Sequence, residues 1–135
     1  HLRSFLMLMK IFIPYLMEDR SMTKYKVVLV PFPFDDLSSN KVRPAVCLTE
    51  PIGHFRHVVL AFITSKVPDV LLQTDILIEA DHEDFKTSGL RVTSALRLHR
   101  MMTATTNIIR RELGQLSETQ QKSVKSKLKT LFNLE

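Results

Sequence analysis

Residues 27–48 read VVLVPFPFDDLSSNKVRPAVCL, and their opening run decides the fold class. Val27–Phe34 is apolar throughout but too short and too proline-bound for a helix. Pro31 and Pro33 lack amide donors, so a strand here must end, bend or lie on an edge at that point. Asp35–Lys41 is a polar turn whose Asp, Ser and Asn side chains can bond their own backbone. The chain then returns to apolar runs, Arg43–Thr49 (RPAVCLT) and His57–Thr64 (HVVLAFIT). Their Val- and Ile-rich composition predicts two more strands.

Further along, Asp75–Glu79 (DILIE) alternates, with Ile76 and Ile78 on one face and Asp75, Leu77 and Glu79 on the other. Leu96, Leu98 and Met102 are expected to line one face of a later strand, with Arg97 and His99 on the other. Ile108–Leu113 fits a strand or a short helix, because six residues are too few for periodicity to decide. Ser117 followed by Gln120 is a capping-box pattern, each side chain satisfying an otherwise unpaired amide at a helix start. Val124, Leu128 and Leu131 then share one helical face, and Lys122, Lys125, Lys127 and Lys129 crowd the rest. Short strands plus one terminal helix predict a mainly β protein, a small antiparallel barrel with a C-terminal helix. No internal repeat or linker interrupts it.

Composition narrows the function classes. The chain has 135 residues, 44% apolar and 24% charged, enough for one domain with a real core and no need of a disulfide or structural metal. One cysteine, Cys47, excludes an intrachain disulfide and Cys-rich zinc sites. The balance of 19 Lys+Arg against 14 Asp+Glu gives a formal charge of +5 and a pI near 9.6. That suggests an anionic partner, nucleic acid or a membrane surface. Three glycines leave almost no material for a Gly-rich phosphate loop.

Residues 1–21 (HLRSFLMLMKIFIPYLMEDRS) differ from the rest. The apolar stretch is short of the roughly 20 residues that span a bilayer, Lys10 and Pro14 interrupt it, and no small-residue cleavage site follows. The division expected is 1–21, a non-conforming and disordered or non-native extension, and 22–135, the domain. A membrane-touching anchor is the alternative for the extension.

Of the five histidines, His54 and His57 lie at a loop-to-strand junction, and His82 sits among Asp81, Glu83 and Asp84. Nothing fixes the three ligands that a catalytic metal ordinarily needs, so no metal or other cofactor is expected. Cys47, between Val46 and Leu48, reads as an inert core thiol. Arg97, Arg100, Arg110, Arg111 and the helix lysines gather cationic charge in the last third, suited to phosphate-backbone binding. Phe32, Phe34, Phe55, Phe62 and Phe85 can stack bases near a loop or pack in the core.

The ordered elements VPFPF, RPA, ITSK, SGLRVTSALRLHR and ELGQLS resemble the MazF/PemK family of toxin–antitoxin ribonucleases, from about Lys24 to the C-terminus. The resemblance implies a small SH3-like barrel that dimerises and cleaves single-stranded RNA without a metal in the cytoplasm. It also implies a cognate antitoxin that covers the RNA groove, with operator DNA bound through the antitoxin complex. On this likeness the catalytic pair is Arg43 and Thr64, and Ser65 follows where such toxins carry a small or polar residue.

Metal-free RNA cleavage uses the ribose 2′-hydroxyl as nucleophile, so the protein must stabilise charge on the phosphate and manage two protons. Arg43 supplies a fixed fork of donors matched to phosphate oxygens. A guanidinium keeps its proton throughout, which makes Arg43 an electrostatic group rather than a proton carrier. Thr64 supplies a hydroxyl that donates to the same oxygens or orients the attacking group. Histidine is the usual side chain for proton transfer near neutral pH, so His99 is the candidate acid or base, or else a plain strand-face histidine. Ser38, Ser39, Lys41, Ser65, Arg97 and Arg100 are the expected RNA contacts.

Three positions depart from the family pattern. Tyr25 and Lys26 stand where Gly-Asp is common, and Met102 stands where many members have arginine, which leaves Arg100 as a substitute. Two other functions fit the same barrel. One is a non-catalytic toxin that binds and inhibits DNA gyrase. The other is a degenerate member that retains only antitoxin or DNA binding.

Overall fold

The computed structural model of the chain describes residues 22–32 and 41–135. The extension at 1–21, the end of the first strand and most of the Asp35–Lys41 turn, with Ser38 and Ser39, lie outside the described residues. Six strands form one antiparallel sheet: β1 (Lys26–Pro31), β2 (Val42–Cys47), β3 (His57–Thr64), β4 (Asp75–Ile78), β5 (Ser94–Thr105) and β6 (Arg111–Gln115). Their order is β4-β5-β3-β2-β1-β6, and the sheet curls into a half-barrel. Among the described residues two helices join the sheet, α1 (Phe85–Ser88) and α2 (Glu118–Leu131).

Both faces of the sheet are covered, so its central strands read as unbroken apolar runs rather than as alternation. On one face Val27, Val46, Ala61, Ile63, Ile76, Leu96 and Leu98 pack beneath α2, which contributes Val124 and the half-buried Leu128 and Leu131. On the other, Val28, Val30, Ala45, Cys47, Val58, Leu60 and Phe62 lie under Phe32, Met102, Ile108 and Ile109. The capping box that starts α2 is complete: Ser117 Oγ accepts the Gln120 amide at 3.1 Å, and Gln120 Oε1 accepts the Ser117 amide at 2.8 Å. No helix among the described residues is long and apolar enough to cross a membrane.

Several expectations need correction. The segment Ile108–Leu113 is neither one strand nor one helix: a 3₁₀ turn over Thr106–Ile108 is followed by β6. Met102 does not share a face with Leu96 and Leu98. The β3–β5 ladder pairs Ala61 with Met101 and Ile63 with Leu96, two steps on β3 against five on β5. This wide bulge shifts the alternation by an odd number of residues and turns Met102 onto the opposite face. Asp75, which opens β4, is buried, because Arg97 is its cross-strand partner and bonds it.

The departures at the start of β1 also have structural consequences. Tyr25 has φ 74°, a left-handed conformation that a glycine adopts without strain. Its neighbours hold it there: the Tyr25 amide donates to the Cys47 carbonyl at 2.7 Å, and its own carbonyl accepts the Leu116 amide at 2.9 Å. Lys26 pairs with Glu112 at 3.1 Å, across the bulge where β1 meets β6.

Candidate active site

Ladder register explains why distant residues meet. β2 and β3 pair Ala45 with Phe62, and the same register carried two residues further sets Arg43 across from Thr64. Alternation puts both on the face that also carries Phe62. β1 pairs Val30 with Arg43, so Phe32, two residues beyond Val30, arrives on that face as well. The bulged part of β5 completes the wall with Arg97 and Arg100. These side chains, with Ile63 and Lys66, line an open cleft of about 140 Å³.

The cleft is cationic and built on aromatic rings. The Phe32 ring lies edge-on to Phe62, centroids 5.0 Å apart at 85°. The guanidinium carbons of Arg43 and Arg100 sit 5.6 and 5.7 Å from the Phe32 centroid, within cation–π range. Thr64 Oγ1 accepts the Lys66 amide at 3.1 Å, a bond that orients the hydroxyl and leaves its proton for donation. Arg97 Nε donates to Asp75 Oδ1 at 3.1 Å. Together these groups can surround a phosphate with donors and offer it a hydroxyl.

Of the residues expected from sequence, Arg43, Thr64, Arg97 and Arg100 are brought together. Lys41 and Ser65 are exposed and flank the cleft strands in sequence, and the Lys41 carbonyl accepts the Phe32 amide at 3.3 Å. His99 is exposed on β5 and is not among the cleft-lining residues. Arg100, not position 102, is what β5 sends into the cleft, because Met102 is half-buried in the second core face. Among the described residues no three His, Cys, Asp or Glu side chains converge as metal ligands. Cys47 is fully buried, and burial pushes its thiol up from 9.0 to about 12 against a weaker pull from Lys26.

Residues 23–132 match the model of the PemK-like, MazF-like toxins of type II toxin–antitoxin systems. The chain belongs to this toxin family. Among solved structures it is similar to the Mycobacterium tuberculosis toxin MazF-mt6, with a TM-score of 0.63 and 21% identity over 82% of this chain and 98% of that one. It is also similar to a mycobacterial endoribonuclease in complex with its cognate antitoxin, with a TM-score of 0.58 and 14% identity over 83% and 93% of the two chains. A further mycobacterial endoribonuclease structure gives 0.59 and 14% over 82% and 90%. These likenesses establish the PemK/MazF fold. No match to a curated protein sequence reaches significance.

Two features of the toxin's cleft, and the buried acid behind it, escaped the sequence reading. Lys66 lay inside the ITSK element without a role. Phe32 and Phe62 were visible as aromatics, but only strand register shows that they pair. Asp75 carried a signal in its position, an acid opening an otherwise apolar strand, yet its partner Arg97 is 22 residues away.

Proposed function

We propose that this toxin is a metal-independent, sequence-preferring endoribonuclease that cleaves single-stranded RNA and is held in check by a cognate antitoxin. The observation that carries this reading is that Arg43 and Thr64 share one cationic cleft. The names of the similar mycobacterial structures, one of them bound to its cognate antitoxin, support it. A homodimer in the cytoplasm, and operator DNA bound through the antitoxin complex, belong to the same proposal.

In the proposed reaction the ribose 2′-oxygen attacks phosphorus and the bond to the 5′-oxygen breaks. The products are a 2′,3′-cyclic phosphate and a 5′-hydroxyl. The 2′-hydroxyl gives up its proton to solvent, and the departing 5′-oxygen takes one up. Arg43 stabilises the charge that builds on the non-bridging oxygens, and its planar fork is pre-organised for them. The Thr64 hydroxyl, oriented by the Lys66 amide, donates to one of the same oxygens. Arg100 adds positive charge beside Arg43, with Phe32 keeping the two guanidiniums near one ring. Arg97, Lys41 and Ser65, with Ser38 and Ser39, are the further RNA contacts. His99, exposed outside the cleft, is assigned no proton-transfer step.

The test is incubation of the full chain with mixed-sequence single-stranded RNA in excess chelator, beside Arg43→Ala and Thr64→Ala. Cutting by the wild type that both substitutions abolish is expected. A wild type that cuts no better than the two variants removes the reading, and inhibition of DNA gyrase is then the activity to assay.

A further inference from the structure

Arg97 is a cleft cation tied to a carboxylate that solvent does not reach. The Asp75 side chain is 0% exposed and that of Arg97 is 23% exposed. The two residues are direct partners across β4 and β5. Asp75 Oδ1 accepts Arg97 Nε at 3.1 Å, while Oδ2 accepts the Leu72 amide at 2.8 Å. Both carboxylate oxygens are therefore engaged and the carboxylate cannot turn. Bonding through Nε fixes the plane of the guanidinium. The two terminal amino groups, which hydrogen-bond no other described residue, are left as a parallel pair of donors on a residue that lines the cleft.

We propose that the Asp75–Arg97 pair reads a base, selecting guanine beside the phosphate held by Arg43 and Thr64. This deepens the ribonuclease reading and rests on its RNA substrate. Two physical features point to a base rather than a second phosphate. First, phosphate attraction depends on uncompensated positive charge, and the buried carboxylate compensates that of Arg97. Second, what survives compensation is geometry, two parallel N–H directions that match the O6 and N7 acceptors of guanine. Adenine would still offer N7 to one of those N–H groups but would turn its N6 amino donor toward the other, leaving those two facing donors unpaired. Asp75 is in this scheme a positioning residue, and Arg97 makes the contact.

The test uses the full chain and uncleavable 2′-O-methyl RNA oligonucleotides, each guanine replaced in turn by adenine, with binding read by fluorescence anisotropy over a range of salt. The wild type is expected to lose about tenfold or more in affinity at one guanine position. Arg97→Lys keeps the charge and the partner of Asp75 but loses the fork, and it should bring that discrimination to within about twofold. Asp75→Asn should do the same and add nothing when combined with Arg97→Lys. Arg97→Lys should keep the wild-type salt dependence, a readout that loss of fold would not preserve, and Asp75→Asn, which uncovers the Arg97 charge, should keep or steepen it; thermal melting identifies any variant that is unfolded.

Indifference of the wild type to guanine at every position overturns the proposal. So does a weakening in either variant that is equal for all sequences and comes with a shallower salt dependence, the mark of a phosphate contact. Cleavage of unmodified RNA, followed in parallel, separates the two levels. Cutting without guanine discrimination removes only the base-reading role. Guanine discrimination without cutting removes only the ribonuclease reading, and failure to bind RNA removes both.

Discussion

Replacing Thr64 by valine separates chemistry from folding at the cleft. The side chain keeps its shape and loses its hydroxyl. In the folded protein that hydroxyl accepts one bond, from the Lys66 amide at 3.1 Å. Lys66 is exposed, so water can replace the lost acceptor, and the stability cost should be about 0.5–1 kcal/mol. In the reaction the same hydroxyl donates to an oxygen whose charge grows toward the transition state. Removing one such pre-organised donor costs about 10²–10³ in rate, or roughly 2.7–4 kcal/mol. Activity should therefore fall far more than stability. Single-turnover cleavage at saturating enzyme measures the first quantity, and urea denaturation the second. Thr64→Ser restores the hydroxyl without the methyl group and should recover to within about tenfold of the wild type, since one hydroxyl remains to donate. Cleavage by Thr64→Val within threefold of the wild type would refute the assigned role, as would a loss of activity matched by an equal loss of stability.

Three other outcomes follow from the same structure. The Cys47 thiol, pushed to about 12 by burial, stays protonated in the folded protein while the unfolded chain ionises above its ordinary value of 9.0. Its stabilising contribution is thus complete below pH 9 and declines as pH rises toward 12. The stability difference between wild type and Cys47→Ala, from urea melts, should shrink by about 2 kcal/mol between pH 8 and 10.5, and a constant difference would count against this. Gly114 passes the last turn of α1 so closely that an added Cβ would overlap the Thr87 carbonyl oxygen and the backbone of Ser88. Gly114→Ala should cost about 2 kcal/mol or more, and an unchanged melting temperature would show that the α1–β6 contact yields. His99→Ala should leave kcat/KM within about threefold and the pH profile unchanged, whereas a drop of about a hundredfold would return His99 to acid–base duty.

The strands were legible because burial on both faces imposes its own pattern. VVLVP, PAVC and VVLAFI are runs that only a covered sheet tolerates, and β3 keeps the sequence-derived limits His57–Thr64. Ser117 and Gln120 announced the start of α2 because a capping box is local chemistry. What could not be read was register. The bulge in β5 is a relation between Phe62 and the Arg97–Arg100 stretch, so alternation within β5 alone carried Met102 to the wrong face. The burial of Asp75 was illegible for the same reason, since it depends on a partner in another strand. In the cleft, Arg43 and Thr64 were reached through resemblance to the family, and the pairing of β2 with β3 supplies the physical reason that they converge.

The central claim is attack by the 2′-oxygen within a cleft that holds Arg43 and Thr64. Its most direct measurement is the chemistry of the product ends. RNA cut by the full chain in excess chelator should end in a 2′,3′-cyclic phosphate and begin with a 5′-hydroxyl. A substrate with a single 2′-deoxy residue at the cut site should survive intact. Products with 5′-phosphate ends, cutting at the deoxy position, or activity that disappears with the chelator would contradict it.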